Sequence, residues 1–151
     1  MDTGSLISLC SAFVAILAAL YACRQATAAK KANEISLHEN RLKVYSGLMR
    51  FWVHIAGQGT NIKEEEVWKF AEIMELSEFY YSENIYVRMN SVFDRSIKLL
   101  SLNDEWNTAK EFDHSTAKSL VQPRHELMRK IRDDCYKIIG DMKGVLRVGN
   151  A

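Results

Sequence analysis

The 151 residues contain one proline, seven glycines and no stretch in which apolar and polar residues alternate between turn residues. A sheet protein is built from such alternations and turns, so their scarcity argues for helices. Cysteine is equally sparse. Cys10, Cys23 and Cys135 form no CxxC pair, which excludes a disulfide framework and a thiolate zinc site and fits a reducing compartment. The net charge of +1 gives no basic field that would gather DNA. Catalytic patterns are missing as well. His125-Glu126 lacks the second His of a zincin helix, and Asp113-His114-Ser115 is contiguous and cannot fold onto itself as a triad. No Walker or dinucleotide glycine pattern exists. His38, His54, His114 and His125 are dispersed, and the carboxylates of Glu64, Glu65 and Glu66 would point in different directions around a helix. The expectation is a protein without catalysis, metal or cofactor.

Charge is also absent from Ser5 to Cys23, SLISLCSAFVAILAALYAC, and this time the absence points to something. Such a run without Pro or Gly reaches about 28 Å as a helix, close to the ~30 Å hydrocarbon layer of a bilayer. Asp2 precedes it, while Arg24, Lys30 and Lys31 follow it. Basic flanks stay cytoplasmic, so the reading is a single-pass anchor in the inner (cytoplasmic) membrane, amino terminus out and the rest of the chain cytosolic. Two alternatives are cleaved signals, one of them a lipoprotein signal at Leu20-Tyr21-Ala22-Cys23. A missing basic n-region and the Tyr before the small residue weigh against both. Small residues at Ser8, Ala12, Ala15, Ala19 and Ala22 recur in steps of four and three. A stripe of this kind lets helices in lipid approach closely, which predicts a homo-oligomer; ordinary alanine content is the other explanation.

The stepping continues through Ala26, Ala29, Asn33, Ser36, Asn40, Lys43, Gly47, Arg50 and His54. In a supercoil this stripe would face a common axis, where Lys43, Arg50 and His54 would repel their copies unless an anion sat among them. A solvated polar face is the competing reading. A second, apolar stripe runs through Leu37, Val44, Leu48, Phe51 and Ile55, with Tyr45 and Trp52 beside it. Nothing interrupts a helix before Gly57-Gln58-Gly59, so residues 5–56 would form one helix of roughly 80 Å.

Beyond it, Thr60 or Asn61 can cap a second helix whose first turn holds Glu64, Glu65 and Glu66 and whose inner face is Val67, Trp68, Phe70, Ala71, Ile73 and Met74. A turn is expected around Ser77 and an aromatic plug at Phe79-Tyr80-Tyr81. Ser82 then starts a third helix, with Ile85, Met89, Val92, Phe93, Ile97 and Leu100 inward, closing near Asn103-Asp104. A short helix over Trp106 to Phe112 and a loop at 113–115 precede a last helix. Pro123 suits either its first turn or a kink within a helix that starts near Thr116, and Leu127, Ile131, Cys135, Ile138 and Met142 form the core stripe. Arg124, Arg129, Lys130, Arg132 and Lys137 take the other faces. The fold class is therefore all-α: an anchor at 1–23, a connecting helix at 24–56 and a helical domain at 57–148, four to five helices in a bundle.

A short outer tail, one Ala-rich span, a basic-Ala helix running into RLKVYSGLMRF and a small helical domain resemble small bacterial single-pass membrane proteins. The layout is similar to the cyclic tetra-adenylate-activated membrane effectors of type III CRISPR systems. That resemblance implies an oligomer such as a tetramer, a cyclic oligonucleotide bound in phage defence, and a span that perturbs the bilayer. A cyclic oligonucleotide needs cations for its phosphates, here Lys43, Arg50 and His54. It also needs flat side chains for its bases, here Tyr45, Trp52 or Tyr80. The alternative function is a non-enzymatic anchor or scaffold that holds a partner protein at the membrane.

Overall fold

Helix α1 covers Thr3–Gln58, α2 Glu64–Tyr80, α3 Glu83–Phe112 and α4 His114–Val148. They are taken from a computed structural model that describes residues 3–148, with side-chain surroundings described over 11–147. The described residues contain no strand, and the protein is all-α. Helix α1 ends at Gly59, whose positive φ of 60° lets its N–H reach the Ile55 carbonyl at 3.0 Å. This left-handed cap suits glycine, and it places Gly57 and Gln58 inside the helix the sequence was expected to break after Ala56.

The chain divides into two units between Leu37 and His38. In the first, every described residue from Ser11 to Leu37 is exposed. Phe13, Val14, Ile16, Leu17, Leu20 and Tyr21 leave 50% to 65% of their surface uncovered. Apolar side chains exposed all round a helix are what lipid, not water, accommodates. This helix is long and apolar enough to cross a membrane, and none of its apolar window is buried.

The second unit has one core. Val44, Leu48, Phe51 and Ile55 of α1 meet Val67, Phe70 and Met74 of α2, Ile85, Met89, Val92 and Leu99 of α3, and Ile131, Cys135, Ile138 and Met142 of α4. The Phe51 and Phe70 rings stack with centroids 4.3 Å apart. Ion pairs Arg88–Asp141 and Arg95–Asp134 join α3 to α4 at the surface.

Four further boundaries differ from expectation, each for a local reason. The α2 cap is Lys63 rather than Thr60 or Asn61; it gives no side-chain bond, and its N–H donates to His54 Nε2 at 3.1 Å. No turn forms at Ser77, because its buried hydroxyl donates to the Met74 carbonyl at 2.6 Å and so needs no partner outside the helix. Helix α3 runs past Asn103-Asp104 to Phe112, absorbing the short helix. Only Asp113 interrupts the chain there. Its carboxylate accepts the Ser115 N–H at 3.0 Å and the Thr116 N–H at 3.3 Å, capping α4 two residues earlier than expected. Pro123 lies inside α4. Two side chains assigned inward are exposed: Trp68, which donates to Glu64 Oε1 at 3.1 Å, and Phe79.

Candidate functional site

Helices α1 and α2 approach closely because Gly47 has no side chain. A Cβ there would lie 2.6 Å from Ile73 Cγ1, so this position of the small-residue stripe is occupied by α2 of the same chain. Beside that contact Lys43, Ser46 and Arg50 of α1 and Glu66, Lys69 and Glu72 of α2 line a cleft of about 190 Å³. Lys69 is held by Glu65 at 2.7 Å and Glu66 at 2.8 Å, which raises its pKa. In turn the hydrogen bond from Lys69 holds the Glu66 carboxyl below its ordinary range, and the nearby charge of Arg50 acts in the same direction. Neither Lys43 nor Arg50 forms an ion pair among the described residues. The cleft thus sets two cations without ion pairs, Lys43 and Arg50, beside the carboxylates of Glu66 and Glu72, with Lys69 offsetting Glu66 and leaving a net positive lining.

His54 is committed elsewhere, as the acceptor of the Lys63 N–H. Tyr45 and Trp52 are two residues on from Lys43 and Arg50, a rotation of about 200° at 3.6 residues per turn, which carries them to the opposite side of α1. There Trp52 packs beside Tyr136, centroids 6.4 Å apart, with Arg132, Asp133 and Lys137 around a hollow of about 310 Å³. Its indole Nε1 is buried with no acceptor among the described residues. Tyr45 is half-buried against the core. The five predicted ligand residues therefore do not share a pocket within one chain: Lys43 and Arg50 come together, the aromatics lie across the helix from them. Ala12, Ala15, Ala19 and Ala22 are all exposed, and the Ser8 side chain lies outside the described residues.

One polar cluster was not anticipated. Arg124, assigned to a solvent face by its charge, is only 5% exposed. Its Nε donates to Asn103 Oδ1 at 2.8 Å and its Nη2 to Thr60 Oγ1 at 3.4 Å, while its guanidinium lies over the Trp106 ring at 4.3 Å. Asn103 Nδ2 completes the link with a 2.7 Å bond to the Thr60 carbonyl. Burial pulls the Arg124 pKa down, and no carboxylate pairs with it among the described residues. A signal existed in the spacing. Arg124 stands in phase with Leu127, Ile131, Cys135 and Ile138, and Asn103 continues Ile85, Met89, Val92, Ser96 and Leu99, so both fall on core stripes.

Among the described residues no three His, Cys, Asp or Glu side chains gather as metal ligands would. No protein-family model, curated protein or solved structure matches the chain.

Proposed function

We propose that the protein is a membrane-anchored, self-associating effector whose helical domain binds an anionic ligand and thereby perturbs the bilayer. The observation that carries this reading is the exposure, on every side of α1, of the apolar residues from Ser11 to Cys23. They need a cover, and a bilayer of matching thickness supplies it. Arg24, Lys30 and Lys31 support a cytosolic domain and an outward amino terminus in the inner membrane. The stripe Ser8, Ala12, Ala15, Ala19 and Ala22 supports packing of several copies, a tetramer by the architectural resemblance.

Lys43 and Arg50 support the anion. Each copy would hold one phosphate in its α1–α2 cleft, so a cyclic oligoadenylate contributes its phosphates to several copies and leaves its bases to the surface between them. Because α1 contributes to both units, a change in its packing against α2 passes toward the span. A scaffold that holds a partner protein at the membrane is the second reading. Phe79 and Phe112, both more than three-quarters exposed, favour it.

The test uses the full chain in dye-loaded vesicles. Cyclic tetra-adenylate should bind saturably and release dye. The double variant Lys43→Glu, Arg50→Glu should lose both responses while keeping its helical content. A chain that is monomeric in nanodiscs and that, in the vesicles, neither binds a cyclic oligoadenylate nor releases dye contradicts the effector reading and leaves the scaffold.

A further inference from the structure

Arg124 presents a second problem in charge balance, one independent of the membrane reading. A cation withdrawn from water is normally compensated by a carboxylate, and here the described residues provide none. Asn103 and Thr60 occupy Nε and Nη2, which leaves Nη1 without an acceptor among the described residues. The side chain forms part of the wall of a cleft of about 580 Å³, a size typical of small-molecule sites. Glu64 and Asp104 line the same cleft, are exposed, and make no ion pair with Arg124. Asn107 adds an amide, and Trp68 with Leu100 adds an apolar wall.

A guanidinium and two carboxylates set apart in one cleft are poorly suited to a phosphate, which would gain from Arg124 and be repelled by Glu64 and Asp104. They suit a molecule that carries both charges. We infer that the cleft between the α1–α2 loop, α3, α4 and the first turns of α2 is a site for a free amino acid with an apolar side chain. The ligand carboxylate accepts from Arg124 Nη1 and the Asn107 amide. Its ammonium is received by Asp104 and Glu64, and its side chain lies along Trp68 and Leu100. No bond is made or broken.

Calorimetry on the full chain in detergent micelles tests this with three probes of one shape. L-Phenylalanine carries both charges, 3-phenylpropanoate only the anion and phenethylamine only the cation. Phenylalanine should bind saturably and each single-charge probe about tenfold more weakly or worse, since each leaves one end of the site unpaired. Asp104→Asn should weaken phenylalanine while 3-phenylpropanoate, relieved of a repelling carboxylate, binds at least as tightly as before, and the thermal midpoint should stay in place, Asp104 being exposed. Arg124→Lys should weaken phenylalanine and 3-phenylpropanoate together. 3-Phenylpropanoate or phenethylamine binding as tightly as phenylalanine would overturn the inference by showing a site for one charge only. No saturable binding of phenylalanine would overturn it too, and reduce Arg124 to a tie between helices.

Discussion

Cys135 and Tyr81 are acids that the folded domain keeps neutral. Burial pushes the Cys135 thiol from 9.0 up to about 12. It does the same for the Tyr81 phenol, raised from 10.0 to about 12, whose hydroxyl donates to the Arg41 carbonyl at 2.9 Å. In both, the folded pKa lies above the unfolded one, so the unfolded chain loses its protons first as pH rises. The stability they contribute is complete below pH 9.0 and is lost progressively between there and about 12. Denaturant unfolding of the helical domain should therefore hold a steady midpoint up to pH 9.0 and decline above it. The Cys135→Val variant should begin its decline about a unit later, where tyrosine takes over. Identical profiles for the two chains would contradict the assignment. Charge misled the reading of Arg124 in the opposite sense, because an arginine is expected in water unless its helical phase is weighed against it.

At the scale of elements, periodicity carried the sequence reading and polar side chains misdirected it. Val44, Leu48, Phe51 and Ile55, and likewise Ile131, Cys135, Ile138 and Met142, were legible because each set keeps helical phase and each is buried. The expected end of α3 at Asn103 was wrong because the Asn103 amide bonds to Thr60 across 43 positions of sequence, a partner no local pattern shows. Gly47 is the sharpest case. As a member of a small-residue stripe it suggested contact with another copy, whereas its missing side chain admits Ile73 of α2. Gly47→Ala should thus lose stability, about 1 kcal/mol net, because overpacking of 1–3 kcal/mol outweighs the helix propensity gained. Adding Ile73→Ala removes the three atoms nearest the new methyl, Cγ1, Cδ1 and Cγ2. A double-mutant cycle by thermal unfolding should give a favourable coupling of at least about 1 kcal/mol. Additive losses would mean that α1 and α2 do not touch at this point.

At the scale of the whole molecule, the all-α class and the single apolar helix were legible from composition alone. A nineteen-residue run without charge has few structural uses, and a chain with one proline has little to stop its helices. The proposed site was less legible, since Lys43, Arg50, Tyr45 and Trp52 are close in sequence yet divided between two faces of one helix. What the account depends on is that the residues from Ser11 to Cys23 are covered by lipid. The most direct measurement is flotation of the full chain with phospholipid vesicles after an alkaline carbonate wash, beside a Leu17→Arg variant. The account predicts that the wild-type chain floats with the vesicles, while a charge at mid-span, costing about 2.5–3.5 kcal/mol, shifts the variant toward the wash. Recovery of the wild-type chain in the wash, or equal flotation of the two chains, would contradict it.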